Sequence, residues 1–289
     1  MSGEAAFVDL LRAIARDPAA RNLEDDCAVL PIGGETLILT HDMMVEGTHF
    51  LPGQDMADVA WKLVAVNLSD LAAKGAEPIG VLLGYSLGGD DTRFAEGLRE
   101  VCETYAVPLL GGDTVRGQGT RSFGLTAIGR ATHNPVPDRR GAGTGDAIYV
   151  TGTLGAAMLG FEALRDGTGA DSMTYLRPIP LLAEGRALAP VATAMMDVSD
   201  GLLLDCWRMA RASHATFRLD SEAFPVADPA RRDECVRWGD DYQLLFTAPA
   251  ELALPVAASR IGTVTEHGVA ALWVNNDIMT PEDGLGYQH

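Results

Sequence analysis

A series of aspartates stands where apolar elements end or should continue. Asp25 and Asp26 precede CAVLPI, Asp42 follows TLILTH, and Asp70 lies inside VAVNLSDLAA. Asp113 follows VPLLGG, Asp197 and Asp200 bracket the DVSDG turn, and Asp240 and Asp241 open DDYQLLF. A carboxylate in such surroundings is costly to bury unless it is paired or bound to a cation. Mg²⁺ favours hard oxygen ligands and bridges carboxylates to substrate phosphates. Asp70 carries the strongest signal, because the middle of an apolar helix offers no capping role. Asp42 and Asp113 each close an apolar strand, whereas Asp58 and Asp91 read as caps or surface acids. DVSDG reads as a capping turn with Asp or Ser at the N-cap, a position compatible with an anion at the same helix end. Gly111-Gly112-Asp113-Thr114 reads as a loop after a strand, open enough for backbone N–H groups to approach a phosphate. His49, in EGTHF, is the histidine beside this acidic set.

Other chemistries are poorly supplied. The sequence has no GxxxxGK[ST] loop, GxGxxG fingerprint, kinase HRD…DFG set or HExxH pair. Phosphate handling would rest on metal and Arg rather than on a P-loop Lys. The formal net charge of −18 argues against nucleic-acid and anionic-membrane surfaces, both of which need clustered cations. Cys27, Cys102, Cys206 and Cys235 fit neither a zinc ribbon nor a disulfide framework, so each is expected to pack as a small apolar residue. No basic-then-apolar leader and no run of 18 apolar residues is present, so a cytoplasmic location is expected.

The elements that must position these acids can be read from periodicity. Helices are predicted at residues 4–16, 57–73, 92–105, 155–164, 181–188 and 202–212. Strands are predicted at 36–40, 79–87, 107–110, 123–129, 147–151, 193–197 and 243–247. The Pro-, Gly- and charge-rich stretch HNPVPDRRGAGTGD, residues 133–146, is the best domain boundary. Domains of 1–135 and 136–289 follow. Strands and helices alternate without a strict βαβ rhythm, which indicates an α+β or mixed α/β architecture in two halves.

Taken in order, DDCAVL, THDMMVEGTHFL, AVNLSDLAAKGAEP, LLGGDTVRG, GDAIYVTGTLG, LRPIP, DVSDGLLLD and GDDYQLLF resemble the thiamine-monophosphate kinases. These belong to the superfamily of aminoimidazole ribonucleotide synthetase, and the resemblance covers nearly the whole chain. It implies ATP-dependent phosphorylation of thiamine phosphate by direct, in-line, Mg²⁺-assisted transfer. It further implies an N-terminal mixed-sheet domain that pairs across a homodimer and binds ATP and Mg²⁺, followed by a C-terminal α/β domain. Carried over residue by residue, Asp26, Thr40, His41, Asp42, Asp70, Asp113, Asp197 and Asp200 would be metal ligands. Tyr105, Gly112, Asp113, Arg139 and Ser199 would contact ATP, while His49, Asp240 and Tyr287 would face thiamine phosphate.

Four departures from that pattern are visible. Asn22-Leu23-Glu24 stands where these kinases carry a Gly-rich GIG, and His41 stands where Thr is usual. WGDDYQL replaces GGEDYEL, and only Tyr287 could supply the aromatic that usually covers the thiamine ring. Two other readings therefore accompany the kinase: a non-catalytic nucleotide- or metal-binding homologue, and an ATP-dependent synthetase of the same superfamily with another substrate.

Overall fold

The computed structural model describes residues 3–288. In chain order the elements are α1 (Gly3–Arg12), β1 (Ala28–Ile32), β2 (Glu35–Val45), α2 (Met56–Ala73), β3 (Ala76–Ser86) and α3 (Asp91–Thr104). They continue with β4 (Leu109–Val115), β5 (Ser122–Ala131), β6 (Asp146–Val150), α4 (Ala156–Asp166), α5 (Met173–Leu176), α6 (Leu182–Leu188) and β7 (Ala194–Asp197). The chain ends with α7 (Leu202–Ala212), β8 (Thr216–Leu219), α8 (Arg232–Trp238), β9 (Leu244–Pro249), β10 (Ser259–Thr265), β11 (Leu272–Val274) and β12 (Asp277–Met279).

Two mixed sheets result. The first runs β1-β2-β5-β3-β4 and the second β12-β11-β8-β10-β6-β9-β7. All first-sheet strands precede Ala131 and all second-sheet strands follow Asp146, so the Pro- and Gly-rich stretch joins the two halves. No described helix is long and apolar enough to cross a membrane.

The helix α2 explains how the halves meet. A helix that is apolar on one stripe needs one partner, but one that is apolar all round must be enclosed. In α2, 16 residues are buried. It packs on β2, β3 and β5 of the first sheet, on α3, and on β7 and α6 of the second half. Its charged residues therefore lie between the halves rather than in solvent.

Several expectations are revised. The strand β2 extends to Val45 rather than stopping near Thr40, because Met44 returns to the buried face after Asp42. Asp42 is thus inside a strand, not beyond its end. Likewise Gly111, Gly112 and Asp113 lie within β4 rather than in a loop. Gly112 is required by packing: a Cβ there would come within 1.9 Å of the Leu83 carbonyl oxygen on β3. The first helix is shorter than expected, and its apolar residues Phe7 and Leu10 are exposed, as is Ile14 beyond its end. The N-cap of α2 is Asp55, which accepts from Ala57 N–H at 2.9 Å, whereas Asp58 pairs with Arg177 at 2.6 Å. Asp91, also expected as a cap or surface acid, accepts from Gly88 N–H and the Tyr85 hydroxyl.

Candidate active site

Three chain segments converge on one acidic centre. Asp26 precedes β1, Asp70 comes from α2 and Asp197 ends β7; each offers a carboxylate oxygen, and these oxygens lie within 4.8 Å of one another. Thr40, on the inner face of β2, donates its hydroxyl to Asp70. Ser69 donates to Asp197 at 2.5 Å, which ties α2 to β7. Asn67, also on α2 and fully buried, accepts from Asp42 N–H at 3.0 Å and so ties α2 to β2.

Charge in this centre is unbalanced. Burial, then the neighbouring Asp42, Asp197 and Asp26, pushes the Asp70 carboxyl well above the usual range. Burial and Asp26 lift Asp197 to about 8, and burial with Asp26 and Asp200 lifts Asp42 to about 6. Asp26 goes the other way: burial raises it, but Arg139 and then Lys74 outweigh that and hold it at about 2. Carboxyls raised in this manner lack a cation of their own. The donor set is all oxygen, which suits a hard divalent ion such as Mg²⁺.

Asp25 has a different role from its neighbour. Its buried carboxylate sits between Lys74 and Arg21, at 2.5 Å from each. Arg21 also donates to the carbonyls of Val136 and Pro137, and Lys74 to that of Met195. Asp25 therefore fixes the loop that presents Asp26. The backbone of this loop retains a glycine-like path. Arg21, Asn22 and Leu23 hold φ of 47°, 59° and 51°, a left-handed run that non-glycine residues adopt at a cost.

The DVSD turn is held from behind. The N-cap of α7 is Gly201, not Asp or Ser as expected. Its φ of 112° and the Arg237 carbonyl 2.8 Å from any added Cβ both call for glycine. Asp205, fully buried, instead accepts from the N–H groups of Ser199 and Asp200, each at 3.2 Å. Arg208 bridges Asp205 (3.0 Å) and Asp200 (2.5 Å). Tyr287 N–H donates to the Asp200 carbonyl at 2.9 Å, which docks the C-terminal segment on the same turn.

Beside this centre lies a second cluster around Lys62, again on α2. Its ammonium meets Asp240 at 2.7 Å and the His49 carbonyl at 3.2 Å, and sits 3.9 Å over the Tyr175 ring. Tyr242 donates to the other Asp240 oxygen at 2.8 Å. Asp240 N–H donates to the Ser199 carbonyl, so this cluster abuts the DVSD turn. Trp238, Phe161 and Tyr175 form an aromatic wall, with ring centroids 5.0 and 5.3 Å apart in sequence.

The expected site residues are thus unequally assembled. Asp26, Thr40, Asp42, Asp70, Arg139, Asp197, Ser199 and Asp200 come together, as do His49 and Asp240. His41 does not: strand alternation turns its ring to the outer face, where Nδ1 lies 2.9 Å from the Thr126 hydroxyl. Asp113 does not either. Two strands, β5 and β3, separate β4 from β2, so three strand spacings of about 4.8 Å intervene. Its register partners, Gly84, Gly124 and Met43, also place it on the outer face, opposite Asp42. Tyr105 packs edge-on against Trp61, nine residues along α2 from Asp70, which is about 13 Å. Lys62, Lys74, Asp205 and Arg208 were not singled out from the sequence. A Lys within the apolar run AWKLVAV carries the same signal that exposed Asp70.

Two mixed sheets sharing a buried helix, with acids converging at the seam, define a two-domain protein of the AIR synthase related type. Family models agree: the AIR synthase related N-terminal domain matches residues 24–131 and the C-terminal domain residues 143–275. The chain belongs to the thiamine-monophosphate kinases of that group. It is 38% identical to the thiamine-monophosphate kinase of Salmonella typhimurium, over 89% of this chain and 86% of the relative. Identity to the thiamine-monophosphate kinase of Caulobacter vibrioides is also 38%, over 97% and 88%. Among solved structures, AaThiL complexed with AMPPCP and TMP superposes with a TM-score of 0.87 at 28% identity, covering 96% of this chain and 95% of that one. The thiamine-monophosphate kinase of Stenotrophomonas maltophilia gives 0.77 at 31% identity, covering 93% and 95%.

Proposed function

We propose that the chain transfers the terminal phosphoryl group of ATP to thiamine phosphate, giving thiamine diphosphate and ADP. The observation that carries this reading is the convergence of Asp26 with the buried Asp70 and Asp197, which have no cation of their own, in a chain 38% identical to thiamine-monophosphate kinases. Asp26, Asp70 and Asp197, with Asp42, Thr40 and Asp200 alongside, would hold several Mg²⁺ ions. Bound there, Mg²⁺ supplies charge neutralisation between acidic protein and phosphate oxygens. The chain's own residues bind and orient. Arg139, already beside Asp26, and the Ser199 turn are poised for phosphate oxygens; His49 and Asp240 line the acceptor side. In-line phosphoryl transfer demands positioning and electrostatics rather than a side-chain nucleophile, and none is assigned.

Gly112, Asp113 and Tyr105 stay proposed ATP contacts, with Asp113 a proposed metal ligand, but apart from the Asp26–Asp70–Asp197 centre. His41 would ligate through its backbone carbonyl if at all, given where its ring points. A homodimer is supported by the uncovered face and edge of the first sheet. Met43, Leu82 and Leu110 are exposed there by 54%, 38% and 52%, and every residue of the edge strand β4 is exposed. The domains 1–135 and 136–289 and a cytoplasmic setting complete the reading, the latter supported by four unpaired cysteines.

The test is ADP release measured with and without thiamine phosphate under saturating MgCl₂. Turnover that depends on thiamine phosphate, and is abolished in a folded Asp42→Ala variant, is expected. ATP binding without any ADP formation would overturn the kinase reading.

A further inference from the structure

The chain contains 22 Lys and Arg residues, yet only Lys62 and Lys74 are lysine. Both are buried, at 1% and 0% exposure, Lys62 within α2 and Lys74 at its C-cap. Lys74 serves the Asp25 loop. Lys62 has no such structural partner: it reaches one group from each half of the molecule, and both flank the acceptor side of the site.

We infer that Lys62 is a positioning residue for the acceptor substrate, clamping His49 and Asp240 into one recognition unit across the domain seam. An ammonium has three N–H donors. Here they face the Asp240 carboxylate (2.7 Å), the His49 carbonyl (3.2 Å) and the Tyr175 ring (3.9 Å to its centroid). With all three directions used by protein groups, Lys62 is spent on geometry rather than on a ligand. Asp240 gains most from this. Its backbone sits at φ +58° and its two oxygens are held by Lys62 and Tyr242, yet its side chain remains 28% exposed. A carboxylate so held has free lone pairs for an incoming N–H donor, and the wall of Trp238, Phe161 and Tyr175 adjoins it. On the other arm, Lys62 and the Tyr175 hydroxyl both donate to the His49 carbonyl, while His49 Nδ1 accepts from Val45 N–H at 3.0 Å. That bond leaves the proton of a neutral ring on Nε2. An arginine would be too broad and planar for this three-way contact, which accounts for lysine at this position.

The inference rests on the kinase reading, so the experiment separates the two. Steady-state kinetics are measured for the native protein, Lys62→Met, Asp240→Asn and the double variant, with thermal melting of each. Lys62→Met is expected to raise KM for thiamine phosphate by about 10-fold or more, and to leave KM for ATP within about 2-fold. In the Asp240→Asn background the same change should add less than about 3-fold, because the two residues act as a unit. Equal increases in both KM values, or a full increase added to Asp240→Asn, would overturn the clamp and indicate a merely structural lysine. If Asp240→Asn leaves KM for thiamine phosphate unchanged, the acceptor-side reading itself fails instead. Removal of both charges avoids an unpaired buried group, so if Lys62→Met does not fold, the comparison of Asp240→Asn with the double variant decides.

Discussion

Replacing Asp70 by Asn should make the metal-free protein more stable while destroying its response to Mg²⁺. Asp70 is 7% exposed and shares a 4.8 Å cluster with Asp26 and Asp197. Two unit charges at that separation repel by about 3.5 kcal/mol for an effective dielectric near 20. Asp70 avoids part of this by remaining protonated, since its folded pKa lies well above the ordinary 3.8. The sign follows from linkage: a raised folded pKa gives a contribution that is fully present below 3.8 and is lost as pH climbs toward the folded value. That repulsion sets the scale of the effect, roughly 3–4 kcal/mol. Asn is neutral at every pH and escapes the cost. In EDTA near pH 7, Asp70→Asn should melt higher by on the order of 10 °C, and the gap should close near pH 4. In saturating MgCl₂ the order should narrow or reverse, because only the native protein gains binding energy, about 2.7 kcal/mol at 100 times Kd. Differential scanning calorimetry in both buffers checks this, with ADP release absent throughout for the variant. An Asp70→Asn protein that melts below the native one in EDTA, or that gains equally from Mg²⁺, would refute the reasoning.

The raised carboxyls predict proton release on Mg²⁺ binding. Asp197, lifted to about 8, carries a proton near pH 7 that a metal ligand cannot keep, and Asp70 is raised in the same direction, so proton release should accompany Mg²⁺ binding, with affinity rising as pH climbs through about 8. Calorimetric titration in buffers of different ionisation enthalpy reads this directly, and buffer-independent heats would contradict it. Asp205→Asn should loosen the turn carrying Ser199 and Asp200 without touching substrate. The Mg²⁺ concentration for half-maximal turnover is expected to rise about 10- to 100-fold, the usual effect of losing a residue that orients ligands. An unchanged Mg²⁺ dependence would leave Asp205 as a helix cap alone.

Legibility of the fold followed the strength of local signals. The helix α7 is where the 3.6-residue repeat of Leu202–Ala212 put it, and α2 was visible because its apolar run is long. Strand limits were less legible. A strand continues for as long as alternate residues can be buried, and nothing local in HDMMV says that Met44 returns to the core. The short strands β8, β11 and β12 lack enough residues for a period to emerge. Within the site, the converging acids were legible one at a time, because a carboxylate in an apolar context is anomalous on its own. Their pairings were not. Asp25 and Asp26 are adjacent and chemically identical, yet one is held between Lys74 and Arg21 while the other pairs with Arg139 and faces Asp70 and Asp197. Only the fold distinguishes them. His41 and Asp113 mark the opposite failure, since motif position gives no information on which face of a sheet a side chain takes.

The placement of charge on α2 links these observations to function. A helix enclosed on all sides is the most expensive place for ionisable groups, yet α2 and its C-cap carry Lys62, Asp70 and Lys74 over about three turns. Each faces a different element: Lys62 the Asp240 loop, Asp70 the acidic centre, Lys74 the Asp25 loop. Two of the three are neutralised by partners from loops that belong to the site. The third has none of opposite charge and shares its space with two further acids. If stability alone governed this helix, apolar residues of similar volume would be no worse at all three positions. The arrangement is consistent instead with a rigid ruler that fixes the spacing between the acceptor side, the metal centre and the Asp26 loop. Phosphoryl transfer in line requires that spacing to be held to a fraction of an ångström, and a packed helix in the core holds it better than any loop.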